Sequence, residues 1–193
     1  EVVGDEESKF NWYFTYGATV TEENNGVATI TIDGTYTQDT VTENKELAHI
    51  GGINCPMYGQ ALNLSGPIFP RVQMKHLATL NEVAVWNDTK DDTAKGTNAG
   101  PITIHNFSVS ATTSGVWDQT NRFPLAGTFN LNLKSGSLSK PGSQKNEIKV
   151  ELSDAITIQP GKENAYKLYF LTAPIDKLQT GATYVRYFSN AAG

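Results

Sequence analysis

Apolar and polar residues alternate along several short stretches of this chain, a pattern typical of β-strands with one buried face. The clearest stretch is residues 27–36, and the turn-forming residues Asn24-Asn25-Gly26 come directly before it. Its apolar face consists of Ala28, Ile30 and Ile32. With the aromatic stretch 11–16, it predicts a β-hairpin closed by a polar loop around residues 22–26.

Further stretches have the length and the β-branched or aromatic content of strands. They are residues 102–110, 127–133, 148–152, 156–158, 166–171 and 183–188. Two segments without periodicity, 87–100 and 135–146, are rich in Asn, Gly, Ser, Asp and Lys and predict surface loops. The strands are therefore expected to be short and separated by polar connections.

Residues 72–86 fit two patterns. A helix aligns Val72, His76, Leu80 and Val83, and a strand aligns every second residue from Val72 to Leu80. The segment has no N-cap residue before it, and its end at residues 83–86 is β-favouring. We therefore predict a strand, broken near Asn81.

The pattern as a whole predicts an all-β protein, an antiparallel β-sandwich of about 8–9 short strands. A length of 193 residues is enough to bury a core without disulfides or metals. No linker or internal repeat divides the chain, so we expect residues 1–193 to form a single domain, either complete or the N-terminal domain of a longer precursor.

Composition narrows the function classes. The net charge of −5 argues against nucleic acid as a partner, because such proteins carry a basic stripe. A single cysteine excludes an internal disulfide framework. No basic and apolar leader opens the chain, so we expect either a cytoplasmic protein or an exported one whose leader has been removed.

The sequence offers little chemistry. His49, His76 and His105 lack zinc-site spacing, and no nucleophile elbow or phosphate-binding loop occurs. The acidic segment 88–92 lacks the Gly and the distal Glu of a calcium loop. We interpret Cys55 as a small residue that is either packed in the interior or part of a turn. We therefore predict no catalytic residue, no metal, no cofactor and no enzyme activity.

Aromatic residues leave a second function open. Trp12, Trp86 and Trp117 could stack on apolar faces of sugars, although most large aromatic residues of a sandwich belong to its core. Trp117, in a polar stretch, is the best candidate for a glycan contact. The alternative function is thus a carbohydrate-binding surface module.

Three segments together resemble the fimbrillin family, the fimbrial subunits and fimbrillin-like surface lipoproteins of Bacteroidales. They are a predicted turn formed by Pro56, Met57, Tyr58 and Gly59, the basic stretch 75–78, and the alternating stretch 102–109. The resemblance covers about residues 45–175. The chain departs from the family in lacking a leader with a lipobox cysteine, and it covers about one of the two β-domains that many members have.

The resemblance implies a Greek-key, transthyretin-like sandwich, exported to the cell surface and outer membrane as part of a fimbrium (pilus). It implies assembly by β-strand exchange with other fimbrial subunits, in a self-polymer or hetero-polymer, and contact with host or bacterial surface ligands or glycans. The turn would place Met74 and His76 in the sandwich core. The candidate strand-exchange residues are Tyr166, Leu168, Phe170, Tyr184, Val185 and Phe188.

Overall fold

A computed structural model describes most of the chain, in nine ranges. They are residues 8–20, 26–41, 47–66, 68–91, 94–95, 98–113, 124–139, 144–174 and 182–189. Within these ranges the protein is all-β, as predicted, and its only helical element is a 3₁₀ turn at Gly52–Asn54. The described residues contain no helix long and apolar enough to cross a membrane.

The strands are more numerous than predicted, because several very short ones occur in segments expected to be loops or breaks. In chain order they are β1 (Lys9–Tyr16), β2 (Ala18–Val20), β3 (Val27–Ile32), β4 (Thr35–Gln38), β5 (Met57–Ser65), β6 (Lys75–His76), β7 (Thr79–Asn87), β8 (Ile102–Thr113), β9 (Ala126–Asn132), β10 (Leu138–Ser139), β11 (Gln144–Lys145), β12 (Glu147–Ile158), β13 (Gly161–Thr172) and β14 (Ala182–Ser189).

These strands form four hydrogen-bonded sheets. Their strand orders are β1-β5-β6; β10-β9-β3-β2, with β11 also on β9; β14-β8-β12-β4; and β13-β7. The pairs are antiparallel except that β4 runs parallel to β12. That exception was not predicted, because periodicity identifies a strand but not the direction of its partner.

The alternation in the sequence corresponds to the buried face of the fold. Ala28, Ile30 and Ile32 of β3 are all buried, as are Phe129 and Leu131 of β9. These side chains share one core cluster with buried residues of β8, β12 and β13. Each fully buried aliphatic or aromatic side chain contributes about 1.5–3 kcal/mol of hydrophobic stabilisation.

The predicted hairpin between residues 11–16 and 27–36 is wrong. β1 pairs with β5 instead, and the short strand β2 takes the place beside β3. Gly17 has a φ of 64° and separates β1 from β2, so that the chain passes from one sheet to another. Such a φ is easily reached only by glycine.

Two predicted strand boundaries also differ. The stretch 72–86 is interrupted at Leu77 and Ala78 and not at Asn81, because Leu77 turns into the core. The stretches 148–152 and 156–158 form one strand, β12, with a register shift on β8 between Glu151 and Ile156. Sequence patterns treat such an irregularity as a break, although the ladder resumes beyond it.

Candidate functional site

The segment Pro56 to Gly59 is not a turn, contrary to the prediction. Pro56 is fully buried, and Met57, Tyr58 and Gly59 are the first residues of β5. The turn lies just before them, at Gly52–Asn54, where the Cys55 N–H donates to the Gly52 carbonyl at 3.1 Å. The proline and glycine that suggested a turn have other roles here.

Gly59 is required by a segment that crosses β5. Residues 68–74, here called the strap, have no regular structure and run over this glycine. A Cβ at position 59 would lie 2.5 Å from Val72 Cγ1, 2.8 Å from Met74 Sδ and 3.0 Å from the Gln73 carbonyl oxygen. A glycine inside a strand often marks such a close approach.

After the strap, the chain pairs with the strand that it has just crossed. Met57 lies opposite His76 and Tyr58 opposite Lys75 in the antiparallel β5–β6 ladder. The Leu77 N–H also donates to the Pro56 carbonyl at 2.8 Å. Two of the three segments that carry the family resemblance, residues 56–59 and 75–78, are therefore in direct contact.

Tyr58 connects this region to the turn after β9. Its hydroxyl donates to the Leu133 carbonyl and lies 2.9 Å from Gln60 Oε1. Gly136 has a φ of 70°, and a Cβ there would lie 2.7 Å from Tyr58 Cε1. Burial raises the pKa of the Tyr58 hydroxyl, which stays protonated and available as a donor.

A cavity of about 490 Å³ opens between β5, β6, the strap and the turn after β9. The polar side chains on its wall are Tyr58, Gln60, Gln73, Lys75, His76 and Ser135. Its volume lies within the range of small-molecule sites, about 300–1,000 Å³. Sequence reasoning missed it, because its wall comes from segments far apart in the chain.

His76 is exposed at this cavity, and not in the core as expected. Its Nδ1 lies 3.1 Å from Sγ of Cys55. Burial raises the pKa of the Cys55 thiol, so the sulfur is held in its neutral form and not as a nucleophilic thiolate. Met74 is half-buried and lies over Gly59.

The predicted strand-exchange residues are divided between two strands. Tyr166, Leu168 and Phe170 lie on β13 opposite Val85, Val83 and Asn81 of β7. Leu168 and Phe170 are buried, and the Phe170 ring lies 6.0 Å from that of Phe107 on β8. On β14, Tyr184, Val185 and Phe188 lie opposite Ala111, Ser110 and Phe107 of β8.

The edge of β13 that faces away from β7 bonds mainly to side chains and not to another strand. The Gln38 amide donates to the Lys167 carbonyl at 2.8 Å and accepts from the Tyr169 N–H at 3.0 Å. His49 Nε2 bonds the Tyr169 carbonyl at 2.8 Å, and the Tyr36 hydroxyl donates to the Leu171 carbonyl at 3.3 Å.

Of the three tryptophans considered for a glycan contact, the structure describes Trp12 and Trp86. Trp117 lies outside the described residues. Trp86 is 43% exposed on β7, with Lys162 Nζ 5.4 Å from the centre of its ring. The Trp12 ring packs against Phe14 and against Phe69 of the strap.

In the described ranges, the residue types that commonly bind metals are not grouped into a metal site. No three His, Cys, Asp or Glu side chains there lie close enough to share an ion. In the acidic segment, Asp91 Oδ1 accepts the Ala99 N–H at 2.6 Å, so that carboxylate closes the loop.

No protein-family model matches the chain, and no curated protein matches it. A solved structure that resembles it is that of a "putative cell adhesion protein" from Bacteroides ovatus, with 13% sequence identity and a TM-score of 0.44. The alignment covers 96% of this chain and 57% of that one, so this chain spans little more than half of its length. A likeness this distant assigns neither a family nor an activity.

Proposed function

We propose that this protein is a non-enzymatic structural or adhesion protein of the cell surface, a fimbrial subunit or accessory component that assembles by β-strand exchange. The proposal includes export and anchoring at the outer membrane as a lipoprotein, and other fimbrial subunits as partners. It starts from the three fimbrillin-like segments, two of which, residues 56–59 and 75–78, lie in contact with each other.

The observation that carries the proposal is the position of β14. This strand lies at the edge of the β14-β8-β12-β4 sheet, and all of its eight residues are paired with β8. Without β14, one side of β8 would present a row of unpaired N–H and C=O groups. Such an open edge accepts an extended strand from another chain, and backbone hydrogen bonds supply the affinity.

β13 is better suited to be part of the subunit core that receives a strand than to be the strand that a subunit donates. Leu168 and Phe170 are buried, and removing β13 would break its ladder with β7 and the bonds from Gln38. β14 is paired with β8 alone in the described sheets. We therefore propose β14 as the exchanged strand and narrow the role of Tyr166, Leu168 and Phe170 to the core of the receiving subunit.

The test uses a chain that ends at residue 181 and a synthetic peptide of residues 182–189. We expect the shortened chain to keep its β-sheet circular dichroism, to lose self-assembly in sedimentation, and to bind the peptide. The matched control is the same peptide with Val185→Pro, which lacks one backbone N–H and should bind at least about tenfold more weakly. Unchanged assembly of the folded, shortened chain would refute the proposal.

A further inference from the structure

The cavity beside the strap differs in charge from the chain as a whole. The protein has a net charge of −5, but the described residues that line the cavity include Lys75 and His76 and no Asp or Glu. Among the described residues, no carboxylate pairs with Lys75. The cavity therefore presents an ammonium group that is free to meet a negative charge.

The rest of the wall suits a polyhydroxylated ligand. Gln60 and Gln73 carry exposed amides that both donate and accept hydrogen bonds, and Ser135 adds a hydroxyl. Leu77 and the ring of Tyr58 contribute apolar surface. A cation, several neutral hydrogen-bonding groups and a small apolar area match a sugar ring that bears a carboxylate.

The wall is held in place by local packing. The strap lies against Gly59, and the turn at Gly136 lies against Tyr58. A side chain at Gly59 or at Gly136 would therefore collide with the neighbouring residues. The backbone of Lys75 and His76 is fixed by the β5–β6 ladder. A site preformed in this way loses less entropy when a ligand binds.

Cys55 lies beside the His76 ring. Its Sγ is 3.1 Å from Nδ1, so the thiol contacts one ring nitrogen and leaves Nε2 as the nitrogen that can bond a ligand.

We propose that this cavity binds an acidic sugar residue, with Lys75 and His76 on the carboxylate and Gln60, Gln73 and Ser135 on the hydroxyl groups. The site is separate from the exchanged strand, because the described residues of its wall lie on β5, β6, the strap, Leu77 and the turn after β9. Failure of one proposal therefore leaves the other standing.

The test is a titration of the full chain followed by amide NMR shifts, with D-glucuronate and N-acetylneuraminate as acidic sugars. Methyl glucoside is the neutral sugar, and acetate is the carboxylate without a sugar. We expect at least one acidic sugar to shift the amides of residues 58–60 and 73–77, with a Kd at least about tenfold below those of both controls. Binding of D-glucuronate and not N-acetylneuraminate, or the reverse, shows which of the two sugars supplies the carboxylate.

The variant Lys75→Met should raise that Kd at least about fivefold, while Lys90→Met, at an exposed lysine elsewhere, should leave it unchanged. Both variants should keep the dispersed amide spectrum of a folded chain. The proposal is overturned if neither acidic sugar shifts these amides up to about 20 mM, or if acetate or methyl glucoside binds as well. It is also overturned if folded Lys75→Met binds like the unsubstituted chain.

Discussion

At the scale of single residues, Gly59 shows how a local motif is explained by a distant contact. The sequence suggested a turn, because proline and glycine occur close together. In the fold, Pro56 is a buried residue before β5, and Gly59 leaves room for the strap. No local pattern contains that information, because the contacting residues 72–74 come after the strand has ended.

We expect Gly59→Ala to lower the free energy of unfolding by about 1–3 kcal/mol, because its Cβ would overlap Val72 and crowd the Gln73 backbone. Chemical denaturation measures the change. Gly100→Ala is the matched control: no atom lies within 4 Å of its added Cβ, and its effect should stay within about 0.5 kcal/mol. Equal effects of the two substitutions would contradict the close approach of the strap.

The contact between Cys55 and His76 also depends on segments that are distant in the sequence. Each looked unremarkable in the sequence, and they are 21 residues apart. The strap returns the chain to β5 and brings the thiol and the imidazole together. Gly59 was the one sign in the sequence of this contact, because a glycine inside a strand often marks the close passage of another segment.

At the scale of elements, most strands could be predicted, but their partners could not. Alternation identified β3 and β9 because one face of each is buried by nearby packing, and it identified β8 although residues 107–110 are buried on both faces. The pairing of β1 with β5 depends on the turn at Gly17 and on contacts made far along the chain. The parallel pairing of β4 and β12 likewise leaves no periodic sign.

The side-chain bonds along β13 lead to a prediction at this scale. Gln38→Leu keeps a similar volume but leaves the Lys167 carbonyl and the Tyr169 N–H without their partner beside the buried side chain of residue 38. We expect a loss of about 2–5 kcal/mol of stability, because each unpaired buried group costs about 1–3 kcal/mol. Hydrogen exchange of the Tyr169 amide should accelerate.

Thr37→Val, at the exposed position between Tyr36 and Gln38, is the control for the same strand. It should change both stability and Tyr169 exchange only slightly. If Gln38→Leu behaved like this control, the edge of β13 would not depend on the glutamine amide, and our description of that edge would be wrong.

At the scale of the whole molecule, two surfaces lie on different elements of the fold. We propose the β14 edge of one sheet for assembly and the cavity beside the strap for binding of an acidic sugar. The sequence predicted the all-β fold and placed β14 as a strand. It did not reveal the cavity, which depends on how β5, β6 and the turn after β9 come together.

Strand exchange is tested most directly by a disulfide between chains. Val185 and Ser110 are directly paired in the antiparallel β14–β8 ladder, and paired Cα atoms about 4.5–5.5 Å apart suit a disulfide. In a Cys55→Ser background, one chain would carry Val185→Cys and the other Ser110→Cys. A chain with Thr103→Cys, a β8 residue that pairs with β12, replaces the second chain as the out-of-register control.

Mixing the first two chains under assembly conditions, followed by mild oxidation, should give a covalent heterodimer on a non-reducing gel, and the control mixture should give none. That result would establish that β14 of one chain occupies the β8 edge of another. Strand exchange is contradicted if the mixture gives no heterodimer while a chain that carries both Val185→Cys and Ser110→Cys forms the disulfide within itself, because β14 would then stay in its own subunit.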